Sequence, residues 1–339
     1  MQLYAGLDLH SRSTFVGILD QDLNRVFKKR MPNDLQRILA DLEPFKKQLK
    51  GLVVESNYNW YWLVDGLMDA GFQNVCLANP SAIKQYEGIK HTDDQHDAFF
   101  LAQLLILGIL PQGYIYPKKD RAVRDLARKR MFLTQHKTSN LVSLQSLVER
   151  NCAIRLSANR IRSLKVEELE KLLSDKHLFF NARANLETVQ FLTGQIRQIE
   201  KAIVQQIKPR PSFELLRTVP GIGPILAMTI MLEAGDIRRF AKVGNFASYC
   251  RGVSSQRFSA GKLKGSGNRK NGNRYLSWAF VEAAHMARRF CDRFGRYYDR
   301  KASQTNTCVA TKALSNKLAR ICYYILRDQV PFREELIHG

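Results

Sequence analysis

The chain has 339 residues, 45% of them apolar, and 53 Lys and Arg against 31 Asp and Glu give a formal net charge of +22. That apolar fraction excludes a disordered chain and supports two or three packed domains, while the charge calls for a polyanionic partner. The longest apolar run, AFFLAQLLILGIL at 98–110, is too short to cross a bilayer and contains Gln103, so it reads as a buried helix and no membrane partner is expected.

In chain order, residues 3–9, 14–19 and 25–31 are β-prone runs joined by polar turns, an expected three-stranded meander. Pro32 is expected to open a helix whose Leu35, Ile38, Leu39 and Leu42 share one face. A buried strand at 52–55, a helix holding Trp62, Leu63, Leu67 and Met68, a strand at 74–77 and a helix beginning near Asp94 follow. The order βββαβαβα is that of an RNase H-like sheet. Asp8 and Glu55 end strands that such a sheet makes neighbours. Asp94 and Asp97, spaced i and i+3, share a helix face. Four converging carboxylates are hard ligands suited to one or two Mg²⁺ ions. Singly, Asp8 reads as a strand-end turn residue and Asp93 or Asp94 as a helix cap. His10, His91 and His96 lack a metal-ligand spacing and are expected at the surface or behind the ligands.

Charge changes along the chain. Up to residue 117 there are 11 Lys and Arg against 13 Asp and Glu, and beyond it 42 against 18. Residues 123–148 carry a helical apolar stripe opposite Arg124, Arg128, Lys129 and Arg130, a face either for a nucleic-acid backbone or for solvent. Val189, Leu192, Ile196, Ile199 and Ile203 form a two-heptad seam, expected to pack in a helical hairpin or against a second subunit. KPRPS at 208–212 is the expected hinge. In PGIGP at 220–224, Gly221 and Gly223 sit between apolar helices as in a helix-hairpin-helix, which holds phosphate on backbone N–H groups; a plain tight turn is the alternative. Tyr297, Tyr298, Tyr323 and Tyr324, near Arg296, Arg300 and Arg320, suit base stacking or a core. The six cysteines contain no CxxC pair and no signal peptide is seen, so reduced thiols, a cytoplasmic setting and no zinc site are expected.

Residues 251–276 contain Arg251, Arg257, Lys262, Lys264, Arg269, Lys270 and Arg274, five glycines and no carboxylate. This reads as a glycine-rich cationic loop suited to close approach by a phosphodiester. On composition alone it is a basic clamp; within that field Ser259 is also a candidate nucleophile.

GLDLH around Asp8, VVESN around Glu55 and DQHDAFFLA from Asp94 resemble the DEDD signature of the RuvC-like transposases and invertases of the insertion-sequence one-ten family, Piv-type DNA invertases included. Where that family has Lys-Thr-Asp-x-x-Asp-Ala, HTDDQHDA stands here, which leaves Asp93 or Asp94 as third ligand, spacing favouring Asp94. PGIGP, Ala247 to Gly252, Ser259 to Lys262 and Lys270 to Leu276 resemble the same family's transposase domain, with Ser259 on its catalytic serine and Ala260 where glycine is usual. The resemblance implies strand exchange through a covalent phosphoserine, Mg²⁺ on the DEDD carboxylates, a dimer or tetramer, and guidance by a structured noncoding (bridge) RNA.

The expected architecture is therefore α/β plus all-α: a RuvC-like domain at 1–117, a basic helical and coiled-coil segment at 118–210, and an α-helical transposase domain with a helix-hairpin-helix at 211–339. The expected function is that of an insertion-sequence transposase or site-specific recombinase acting on DNA at the nucleoid. The alternatives are a Holliday-junction or structure-specific nuclease that uses water, and a non-catalytic nucleic-acid-binding protein.

Overall fold

The computed structural model describes residues 1–83, 94–208, 210–253, 256–266 and 271–334, with backbone alone at 256–259, 263 and 266. The chain divides into two compact units, Met1–Lys118 and Lys119–Gly339.

In the first unit, β1 (Leu3–Leu9), β2 (Ser13–Asp20) and β3 (Arg25–Pro32) form an antiparallel meander. They are followed by α1 (Leu35–Leu42), β4 (Leu49–Glu55), α2 (Tyr61–Asp69), β5 (Val75–Ala78), α3 (Asp94–Ile106) and the two-residue β6 (Gln112–Gly113). The sheet order is β3-β2-β1-β4-β5-β6, with β4 parallel to both β1 and β5. Alternation sorts the side chains. Leu3, Leu7, Leu52 and Val54 join Ile38 and Leu42 of α1 and Leu63 and Leu67 of α2 in one core. Val53, Leu101 and Leu104 form a second core under α3. With both faces covered, these strands read as nearly continuous apolar runs.

Pro32 ends β3 instead of opening α1. At a strand end its missing N–H costs no ladder bond, and Asp34 caps the helix by accepting from the N–H groups of Gln36 and Arg37.

The second unit begins within α4 (Lys118–Cys152) and continues through α5 (Ala158–Ser163), α6 (Val166–Leu172) and α7 (Lys176–Ile207). The start of α4 (Val123, Ala127) and the end of α7 (Ile203, Ile207) share one core, while Leu144 and Val148 share another with Ala182 and Leu186. The two long helices therefore run antiparallel as a helical hairpin, with an Arg130–Glu200 ion pair at 2.8 Å between them. Val189, Leu192, Ile196 and Ile203 of the expected seam are buried, and Ile199 is partly so.

Beyond lie α8 (Pro211–Arg217), α9 (Pro224–Ala234), α10 (Val243–Tyr249), β7 (Gln256–Ser259), β8 (Lys262–Ser266), α11 (Arg274–Phe290), α12 (Asp292–Gln304) and α13 (Thr307–Asp328). Residues 226–234 of α9 are buried all round, which makes it the central helix of the larger core. The expected loop at 251–276 instead contains an antiparallel β7–β8 hairpin. All six cysteines are free. Among the described residues no helix is long and apolar enough to cross a membrane.

Candidate functional site

Asp8 and Glu55 come together through register and pleat. Parallel pairing of Gly6 with Val53 and Leu7 with Val54, continued one step, sets Asp8 beside Glu55, on the face covered by α3. Gly6, two residues before Asp8, lets α3 lie directly on β1. A Cβ there would stand 1.9 Å from the Ala98 carbonyl oxygen and 3.0 Å from the Ala102 nitrogen. That close approach brings the first turn of α3, with Asp94 and Asp97, to the end of the sheet.

The carboxylates crowd one another. Asp8 is 1% exposed, and its pKa is raised mainly by burial, with Asp97 and Asp94 adding to the rise against opposing contributions from Glu55 and His10. Burial, a hydrogen bond to Asp8 and the charges of Asp8 and Asp97 push Glu55 up to about 7. Like charges forced into one desolvated corner share a proton or recruit a cation. Here the cations are the protein's own. His10 Nε2 lies 2.9 Å from Asp8 Oδ2 and 3.0 Å from Asp94 Oδ1, and Arg30 is 2.8 Å from Asp94 Oδ2. Burial disfavours the imidazolium, but Asp8 and Asp94 outweigh it and raise the His10 pKa.

Ligating atoms of Asp8, His10 and Asp94 all lie within 4.8 Å of one another, an arrangement compatible with a divalent metal. A shared carboxylate corner whose members resist ionising together also suits a hard divalent cation. His10 was expected only at the periphery. The signal that finds it is the strand period, which places residues 8 and 10 on one side. Three amides fix this strand end: Asn57 Nδ2 donates to the Leu9 carbonyl, and Asn33 and Asn59 Nδ2 donate to that of His10 at 2.9 and 3.2 Å. Asp93 and His91 lie outside the described residues. His96 is exposed and stacks on Phe100.

In the second unit, Ser259 is the last residue of β7 and pairs with Lys262 across a two-residue turn. Ala260 and Gly261 have φ of 51° and 73°, the left-handed pair of a type I′ hairpin turn. Lys262, Lys264 and Arg274 are exposed. Arg251 is half-buried and donates to the Gly272 carbonyl at 3.1 Å. Arg269 and Lys270 lie outside the described residues, as does the side chain of Arg257.

Three cations expected on one helix face are engaged within the protein. Arg124 and Arg128 pair with Glu233 of α9 at 3.2 and 2.6 Å, and Arg130 pairs with Glu200; Lys129 is exposed. Glu233 is 2% exposed and also accepts from Asn273 Nδ2 at 2.7 Å. Burial would raise its pKa, but Arg128, Arg124 and Asn273 lower it. Asn273 in turn caps α11 directly after the serine segment. The signal for this missed network is a lone carboxylate within the apolar run TIMLEA. The two glycines of PGIGP also differ in place. Gly221, with φ of 86°, abuts α11, where a Cβ would come within 2.4 Å of the Ala287 nitrogen, whereas Gly223 is exposed at the N-cap of α9 with open space beside it.

Residues 5–152 match the DEDD transposase family of IS110, and residues 213–299 match the family described as Transposase IS116/IS110/IS902. A Pseudomonas aeruginosa protein named "Probable family 20 transposase" is 24% identical, over 97% of this chain and 98% of its own length. The transposase for insertion sequence element IS1328 of Yersinia enterocolitica is 25% identical over 42% of this chain and 44% of its own. An insertion element IS110 protein of Streptomyces coelicolor is 25% identical over 43% of this chain and 36% of its own.

Proposed function

Because the chain belongs to the IS110-type transposase family, we propose that it is a DNA recombinase that cuts and rejoins strands through a phosphoserine at Ser259, with Mg²⁺ held by Asp8, Glu55, Asp94 and Asp97. The observation that carries the metal half of this reading is the carboxylate corner, where burial, with Asp8 and Asp97 adding to it, lifts Glu55 to about 7. The strand order β3-β2-β1-β4-β5 supports an RNase H-like identity for the first unit. A bound ion would supply electrostatic stabilisation of the phosphate and the departing oxygen.

Ser259 Oγ gives up its proton and forms a bond to phosphorus as one sugar oxygen leaves with the electron pair of the broken P–O bond and takes up a proton. The seryl ester retains the energy of that bond, so rejoining reverses the exchange without ATP. A type I′ turn suits this role because it fixes the backbone beside Ser259 while Lys262 and Lys264 stay exposed for phosphate. Arg251, Arg257, Arg269, Lys270 and Arg274 are taken as further phosphate contacts from their place in the same basic stretch, Lys129 is the exposed one of the four cations expected on the α4 face, and Gly223 offers the α9 N-terminus to a phosphate. Resemblance to the family supports two further elements of the proposal, assembly as a dimer or tetramer and guidance by a structured RNA.

Two variants test the reading. Ser259→Ala abolishes joining and any protein–DNA adduct while leaving DNA binding in place, and Asp8→Asn abolishes cutting. Cutting that survives Ser259→Ala unchanged means that water is the nucleophile. If RNA guides the protein, it purifies with one discrete RNA; a smear or none contradicts guidance.

A further inference from the structure

The last helices carry a groove whose residues are not among those assigned above to the metal, the serine or the phosphate. It has a volume of ≈ 660 Å³, and Tyr297 of α12 and Asn316, Lys317, Arg320, Tyr324 and Ile325 of α13 are among its lining residues. Each tyrosine pair is split by burial. Tyr298 and Tyr323 are in the core, whereas Tyr297 is half-buried and Tyr324 is 38% exposed.

The groove is also cationic. Lys317 Nζ lies 4.5 Å from the Tyr297 ring centroid, Arg300 lies 5.9 Å from the same ring, and Arg320 is exposed. Burial, then Arg300 and Arg293, lower the Lys317 pKa, so an incoming anion would relieve crowding among these cations. Asp328, the carboxylate on the rim, is taken up by Arg327 at 2.7 Å. Aromatic rings beside cations match a flat base and its phosphate. The groove is tied to the serine segment as well: Asn316 Nδ2 donates to the Gly252 carbonyl at 3.2 Å, and Tyr324 lies eight residues further along α13, about 12 Å at 1.5 Å per residue.

We propose that this groove holds an unpaired nucleotide of single-stranded DNA, its base against Tyr324 and Tyr297 and its phosphate facing Lys317 and Arg320. The choice of DNA rests on the recombinase reading above. Cleavage at the hairpin would free a strand whose neighbouring nucleotides need such a seat, and a strand held there stays aligned for rejoining.

The test uses the full chain and a single-stranded DNA oligonucleotide containing 2-aminopurine, whose fluorescence is quenched by stacking. The parent quenches the probe. Tyr324→Ala weakens single-strand binding on the order of tenfold and removes the quench, Tyr324→Phe restores both, and Lys317→Gln lowers the salt slope of log affinity by about 0.7. Duplex binding is unchanged in all three. Single-strand binding by Tyr324→Ala and Lys317→Gln that equals the parent's overturns the proposal, and so does tighter binding of RNA of the same sequence than of DNA. The two readings fail separately: loss of the Ser259 adduct argument leaves these binding differences standing, and unchanged binding leaves the adduct untouched.

Discussion

Gly6→Ala tests how the carboxylate corner is built. The new methyl carbon would sit 1.9 Å from the Ala98 carbonyl oxygen, and ordinary contact begins at 3.4 Å, so β1 and α3 must separate by about 1.5 Å. The obstructing atoms are helix backbone and cannot rotate away. Overpacking of this kind costs about 1–3 kcal/mol, or about 4–12 °C in melting temperature for a unit of this size. Asp94 and Asp97 ride on the displaced helix, and metal ligands tolerate displacements of only about 0.2 Å. Divalent-ion affinity is therefore expected to fall by more than tenfold, beyond any change in stability. Thermal unfolding and calorimetric Mg²⁺ titration of the full-length variant measure the two effects. A melting temperature within 1 °C of the parent together with unchanged Mg²⁺ affinity would refute the reasoning.

Other outcomes follow from the same physics. Glu233→Ala leaves Arg124 and Arg128 together without their shared counter-charge and is expected to cost about 3–5 kcal/mol by urea unfolding; a loss below 1 kcal/mol contradicts the network. Without metal, Asp8, Glu55 and His10 all have raised pKa values, so the stability they lend is full at low pH and is lost as pH rises. For Glu55 the window runs from its ordinary 4.5 to about 7. Melting temperature in EDTA should fall across that window, Mg²⁺ should offset the fall, and Glu55→Gln should flatten it; a variant profile superimposed on the parent's contradicts the shared-proton corner. At the hairpin tip, where Ala260 has φ of 51°, Ala260→Gly is expected to stay within about 1 kcal/mol of the parent, whereas a β-branched Ala260→Val loses about 1–2 kcal/mol. Equal stability of the two variants contradicts the I′ turn.

The first unit was largely legible because its signals are local. Apolar runs ending in Asp8 and Glu55 marked β1 and β4, and the i, i+3 pair marked the opening of α3. What the sequence hid was contact. His10 looks isolated in the sequence because its own segment holds no ligand spacing, whereas its partner Asp94 arrives from another. Pro32 was read as a helix opener although the cap is Asp34, two residues on. The β7–β8 hairpin was read as a loop because basic and glycine residues replace the apolar alternation that marks a strand. Arg124 and Arg128 look open to a nucleic-acid backbone or to solvent because periodicity reports which side of a helix is apolar, not that a buried carboxylate waits opposite. Gly6 carried no visible signal at all, since its importance lies in the backbone of α3.

The central claim is that Ser259 becomes covalently joined to DNA. The direct measurement is peptide mass spectrometry of the protein trapped on nicked suicide DNA in the presence of Mg²⁺. The account predicts a nucleotide mass on Ser259, absent from Asp8→Asn and from samples in EDTA. Cut DNA with no protein attached, or an adduct on any other residue, would contradict it.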